Sequence, residues 1–169
     1  SKRNSNIEAM LEMSYILAPD TYWIKQIEEM GIKNISFFLP GFTKKINFKE
    51  NPAKEDYTKY KSDLIMVGNL QPSNWGYKRA YFYNLFADLD IKIYGQNWDK
   101  WLDSFPKLKD KVIKPNTRIS SKLMNTMLNC SKIYPIEHNP TIINGIHSRV
   151  FESITSGILP LVEYRNCLL

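Results

Sequence analysis

Apolar and polar positions alternate along the chain at two scales. Runs dominated by Val, Ile, Leu, Met and Tyr have strand length at residues 14–18, 35–39, 63–67, 91–94, 133–136 and 158–162, with a weaker one at 112–114. Most are apolar at successive positions, which suits strands covered on both faces, as in a parallel sheet. Between them, apolar residues recur at helical spacing over 21–30, 77–88, 120–129 and 148–156. In the second of these, Tyr81, Leu85 and Phe86 share one side; in the third, Leu123, Met127 and Leu128 do. Gly31 and Gly157 stand just past the first and last helical patterns, where helices commonly exit. The alternation predicts an α/β fold, a Rossmann-like parallel sheet flanked by helices.

From Gly41 to Lys61 the chain turns polar and lysine-rich, with Asn51 and Pro52 and no clear period, so it reads as a linker or crossing segment. It separates a short β-α-β piece from a longer series that starts afresh at Ser62. The division expected is 1–48, a linker at 49–61, and 62–169. The last strand pattern has no closing helix after it, so the second domain is expected to be cut short at its carboxyl end.

A chain of 169 residues is long enough to bury a core without disulfide staples. Cys130 and Cys167 lie far apart in apolar surroundings and read as buried small hydrophobes in a reducing compartment. No stretch has the length and apolarity of a membrane span, and the amino end lacks a signal-peptide core; a cytoplasmic location is expected. The net charge of +6 would allow a polyanionic partner. However, Lys44, Lys45, Lys49, Lys54, Lys107, Lys109 and Lys111 are interleaved with Glu50, Glu55, Asp56, Asp103 and Asp110, a mixture that suits a solvated face.

In an open parallel sheet the ligand lies beyond the carboxyl ends of the strands. Four loops fall there: 68–76, 95–101, 115–119 and 137–147. The first opens with Gly68-Asn69 and leads to Lys78 and Arg79 in the next helix. Glycine lets backbone approach a ligand and cations near amide donors suit a diphosphate, although two such cations can equally face solvent. The fourth carries Asn144-Gly145 and feeds a helix capped by His147 or Ser148, with its free amides and positive dipole end directed to the cleft. An anion there gains roughly 0.3–1 kcal/mol from the dipole and about 1.5–3 kcal/mol from each charge-assisted hydrogen bond.

Glu152 falls one turn after Ser148, where a carboxylate can accept both ribose hydroxyls or serve as an ordinary capping glutamate. Arg149 is a candidate phosphate partner, or else a structural partner of Glu152 or Glu163. Trp75, Trp98, Trp101, Tyr77 and Tyr94 offer stacking surfaces or core. Two histidines, His138 and His147, provide no metal triad, and no metal is expected. The missing G-x-G-x-x-G turn speaks against a dehydrogenase.

The segment Arg149-Val150-Phe151-Glu152-Ser153-Ile154-Thr155-Ser156-Gly157-Ile158-Leu159-Pro160-Leu161 resembles the signature of group 1 glycosyltransferases, in which a glutamate opens a short helix ending in glycine before an apolar strand. Its R-x-F-E form is most similar to the spore-maturation-protein branch. Val67-Gly68-Asn69 with Arg79 behind it, Ile93-Tyr94-Gly95 with Asn97-Trp98, and Leu39-Pro40-Gly41 fall in the same order as in that branch.

The resemblance implies a GT-B architecture in which 62–169 is the nucleotide-sugar-binding domain and 1–48 a remnant of the acceptor-side domain. It implies that Glu152 takes the ribose hydroxyls and that the backbone from Gly145 to Ser148, beside Asn144, takes the diphosphate. Arg79 or Lys78 would support that charge, Arg149, Gly68, Asn69 and Gly95 would belong to the same donor site, and the loop from Pro115 to Ile119, Asn116 included, would line the base. The donor would be a nucleotide-diphosphate sugar, UDP favoured over GDP, bound as substrate with no cofactor; the acceptor would be a glycan or protein, with no nucleic acid partner. No residue is assigned as catalytic. Two positions depart from the pattern: Asn144 stands where many members carry an earlier glutamate, and Asn69 where many carry an arginine. The rival expectation is a non-catalytic Rossmann-like module that binds a protein or nucleic acid through a basic face.

Overall fold

All seven apolar runs form strands in the computed structural model, which describes residues 2–39, 41, 43, 45–71, 73–114 and 118–165. The strands are β1 (Ile16–Ala18), β2 (Ile35–Phe37), β3 (Ser62–Val67), β4 (Ile91–Tyr94), β5 (Val112–Ile113), β6 (Ser131–Ile136) and β7 (Leu159–Val162). The helices are α1 (Lys2–Glu12), α2 (Thr21–Glu29), α3 (Lys54–Tyr60), α4 (Asn74–Asn84), α5 (Asp99–Leu102), α6 (Ser121–Asn129) and α7 (Arg149–Ser156). Strands β1 and β2 pair with each other, and the remaining five form one parallel sheet in the order β5-β4-β3-β6-β7. The fold is therefore α/β and Rossmann-like. Strand order reverses between β3 and β6, which makes their carboxyl ends a topological switch point. The register of β3 against β6 ends at Leu64 and Ile133, two residues before Pro135, which has no N–H for a ladder.

One core lies against β3 and β4, where Leu64, Met66, Ile91 and Ile93 pack with Tyr83 of α4, Trp98 and Leu108. Each such side chain removed from water contributes roughly 1.5–3 kcal/mol. Helix α4 starts three residues before the expected position and buries Gly76, Arg79, Ala80 and Tyr83, not the face carrying Tyr81 and Leu85, which are exposed. The polar ends of Arg79 and Tyr83 find partners inside, so this face is the one that can be covered.

The chain divides into two compact units: Ser1–Gly41, Pro140–His147 and Tyr164–Leu169 form one, and Phe42–Asn139 and Ser148–Glu163 the other. The expected linker at 49–61 belongs to the second unit. It carries α3, and its start is fixed by two asparagines of α6: the Phe48 amide donates to Asn125 Oδ1 (3.1 Å), the Glu50 amide to Asn129 Oδ1 (2.9 Å), and both side-chain amides donate to the Phe48 carbonyl. In the first unit, α2 covers the β1–β2 pair through a core of Ile27, Ile32 and Ile35. Among the described residues no helix is long and apolar enough to cross a membrane.

Candidate functional site

The loops that leave β3 and β4 are zipped together. The Gly68 amide donates to the Tyr94 carbonyl (2.8 Å) and the Leu70 amide to the Gln96 carbonyl (3.0 Å). The Gln96 amide donates to Asn69 Oδ1 (2.8 Å), and Trp98 Nε1 to the Gly68 carbonyl (3.2 Å). Such contact between the loops requires glycine: a Cβ on Gly95 would lie 2.0 Å from the Gly68 carbonyl oxygen, and one on Gly68 would lie 2.8 Å from an Arg149 guanidinium nitrogen. Both glycines thus serve close packing, and the space beside Gly68 is filled by a cation.

Over this platform lies a cavity of about 560 Å³, within the usual range for small-molecule sites. Its floor is Val67, Gly68 and Asn69 at the end of β3 with Tyr94 and Gln96 at the end of β4. Arg118, Ile119 and Met124 come from the entry and body of α6, and Arg149 from the start of α7. Two arginines therefore line the cavity at the switch point, Arg149 with its guanidinium beside Gly68, and among the described lining residues none is acidic. The Arg149 guanidinium lies 5.9 Å from the centre of the Tyr134 ring. Burial would lower its pKa, but Tyr134, Tyr83 and the carboxylates of Glu137 and Glu152 outweigh that and hold it above the ordinary value. The arrangement suits an anion with an apolar or aromatic neighbour resting on Ile119 and Met124.

Glu152 is not among the lining residues. It is half-buried on α7, and its Oε1 accepts from Ser148 Oγ at 3.3 Å. Ser148 is the cap of α7, yet its side chain turns to Glu152 and caps no backbone amide. Of the two expected supporting cations, neither faces the cavity freely. Lys78 Nζ donates to Glu163 Oε2 (2.7 Å) and to the His138 carbonyl (2.9 Å). Arg79 is 5 % exposed; its Nε donates to Glu137 Oε1 and its Nη1 to the Asn69 carbonyl at 2.8 Å, with its guanidinium over the Trp75 ring. A buried guanidinium has to be paired where it sits, so this cation is committed to protein. Trp98 is wholly buried in the core and Tyr77 is exposed, so of the aromatic candidates only Tyr94 reaches the cavity. Pro115 and Asn116 lie outside the described residues.

Where free amides are expected, from Gly145 to Ser148, the start of that stretch joins a run of three successive amides, two of them just before it, that the loop turns to a carboxylate. Asp20 Oδ2 accepts from the amides of Ile143 (2.7 Å), Asn144 (3.1 Å) and Gly145 (3.1 Å), while its Oδ1 accepts from the Tyr22 amide and so caps α2. Trp23 Nε1 adds a bond to the Thr141 carbonyl at 2.7 Å. Gly145 is glycine because a Cβ there would meet the Pro19 carbonyl at 2.5 Å. Burial alone would raise the Asp20 pKa; amide hydrogen bonds from Gly145, Ile143, Tyr22 and Asn144 outweigh it and hold the carboxyl below its ordinary value. Of the Gly145 to Ser148 backbone expected to take the diphosphate, the Gly145 amide is thus held by Asp20, as is that of Asn144 beside it, and His147 is half-buried.

Sequence reasoning missed Asp20, Glu137 and Tyr83, and gave Arg118 no role of its own. Asp20 had a readable signal, Pro19-Asp20-Thr21 immediately before a helical pattern, which is an N-cap signature. Glu137 and Tyr83 had none, because their partners are far away in sequence, while Arg118 fell within the 115–119 loop without being singled out.

Taken together, the reversal of strand order and the cavity at its mouth, lined by Arg118 and Arg149, define a Rossmann-like unit. No protein-family model matches the chain, and no curated protein matches it either.

Proposed function

We propose that the chain is the nucleotide-sugar-binding part of a GT-B-type glycosyltransferase, which transfers a sugar from a nucleotide-diphosphate donor, UDP favoured over GDP, to a glycan or protein acceptor. The observation that carries this reading is the cavity at the switch point, lined by Arg149, Arg118 and the Gly68 backbone with no carboxylate among the described lining residues. In sugar transfer the bond between the anomeric carbon and the diphosphate oxygen breaks, and its electron pair stays on the leaving diphosphate. The acceptor oxygen bonds the anomeric carbon and loses its proton. Two fixed cations beside the diphosphate stabilise the charge that develops on it. The apolar wall of Ile119 and Met124 suits a base, while Glu152, outside that lining, acts on the site through its charge on Arg149.

The resemblance of the Arg149 to Leu161 segment to group 1 transferases supports the assignment. The rival basic-face reading gains no support from the lysines. Lys107, Lys109, Lys114 and Lys132 each pair with a surface aspartate: Asp88, Asp103, Asp99 and Asp63 in turn.

Titration calorimetry with UDP and with uridine tests the proposal. UDP should bind and uridine should bind at least about ten-fold more weakly, since one charge-assisted hydrogen bond is worth about 1.5–3 kcal/mol; Glu152→Ala, which removes a charge acting on Arg149, should change UDP affinity by less than that. Equal affinity for UDP and uridine, or none for UDP, would overturn it.

A further inference from the structure

Beneath the cavity, and outside its lining, sits a buried chain of polar groups. Tyr83 of α4 donates its hydroxyl to Glu137 Oε2 (3.1 Å) and to the Pro135 carbonyl (2.7 Å). Glu137 follows the end of β6 and accepts from Arg79 Nε at its other oxygen. Arg79 in turn donates from Nη1 to the Asn69 carbonyl at 2.8 Å, and Asn69 Oδ1 receives the Gln96 amide at 2.8 Å. Asn69 and Gln96 both line the cavity. Tyr83, Arg79 and Glu137 are each 5 % exposed or less. An ion pair taken this far out of water is a poor stabiliser: replacing it with apolar residues of similar volume is often neutral or favourable, so stability alone gives little reason to keep one. Its geometry supplies another reason. The planar guanidinium is a fork with fixed directions, one prong held by Glu137 and the other reaching the turn that presents Gly68 and Asn69 to the cavity.

We infer that Arg79 and Glu137 are positioning residues for the anion cavity: Glu137 aims Arg79, and Arg79 latches the Gly68–Asn69 turn and, through the Asn69 side chain, Gln96. The inference rests on the cavity being the donor site proposed above. Neither residue touches the ligand. They set the wall against which Arg149 and Arg118 hold it, and displacement of such a wall by about an ångström is enough to cost affinity.

Three variants of the chain, titrated with UDP and melted in parallel, separate positioning from simple stabilisation. Arg79→Met alone strands the Glu137 charge and should lower Tm sharply. In the double variant R79M/E137L both charges are gone, and Tm should return to within a few degrees of the parent while UDP affinity stays about ten-fold or more below it. Arg79→Lys keeps a charge opposite Glu137 but loses the fork, and should show the same split, near-parental Tm with weakened UDP binding. Parental UDP affinity in both R79M/E137L and Arg79→Lys would overturn the positioning role. Should the double variant fail to fold, Arg79→Lys alone decides. Failure of the parent chain to bind UDP would count against the donor-site reading itself, a result distinct from parental binding in the variants.

Discussion

Two loops of this protein look alike in sequence and have opposite fates. Gly68-Asn69 and Asn144-Gly145 both follow a strand of the large sheet, both combine asparagine with glycine, and both precede a helix. In the first, backbone and side chain bond mainly to the neighbouring loop at the end of β4, leaving a platform under a cavity that two arginines line. In the second, three successive amides close on the Asp20 carboxylate. The comparison teaches that a glycine-bearing polar loop before a helix is a potential anion site only until its amides are accounted for. A carboxylate supplied by the chain itself satisfies the same donors as a phosphate would.

The sharpest way to break the first loop is to add one methyl group. Gly95→Ala places a Cβ 2.0 Å from the Gly68 carbonyl, backbone against backbone, and should cost about 3 kcal/mol or more, seen as a large fall in Tm or loss of soluble protein. A parental Tm would show that the two loops are not tightly joined.

The second loop breaks at Asp20. Asp20→Ala removes a helix cap and the acceptor of three loop amides, and should destabilise by about 2–4 kcal/mol, with faster amide exchange at 143–145. The same clamp gives a pH dependence of known sign. Because the folded carboxyl lies below its ordinary value of about 3.9, the clamp's contribution is present above that pH and is lost as the pH falls through the folded value. Acid unfolding of the parent chain should therefore include a component missing from Asp20→Asn.

A smaller effect, confined to binding, distinguishes the loops by function. Arg118 is exposed, so Arg118→Ala should leave Tm nearly unchanged while weakening UDP binding by about ten-fold, the worth of one charge-assisted hydrogen bond. Least of all, Lys107→Ala, which removes an exposed ion pair with Asp88, should change stability by under about 0.5 kcal/mol and leave UDP affinity alone.

The strands were legible because a strand covered on both faces needs apolar residues at nearly every position, and chain order recorded that directly. Helices α1 and α3 were not, because their sequences, KRNSNIEAMLE and KEDYTKY, are too polar to show a clear apolar stripe. The mistaken face of α4 has a related cause: Arg79 and Tyr83 read as surface residues until Glu137, more than fifty positions away, is seen to receive them. At the site, local chemistry foretold that Gly68, Asn69 and Arg149 would meet a cavity. It could not foretell that the Asn144 and Gly145 amides were spoken for, since their acceptor lies more than 120 positions earlier.

That separation also sets an order of events during synthesis. Asp20 leaves the ribosome well over a hundred residues before the amides it will hold, so the first β-α-β piece must wait, uncapped on that side, until the chain has been extended through Gly145. The β1–α2–β2 piece is thus made before β3 to β6 and completed after them, the reverse of the usual expectation that segments made earlier finish folding earlier.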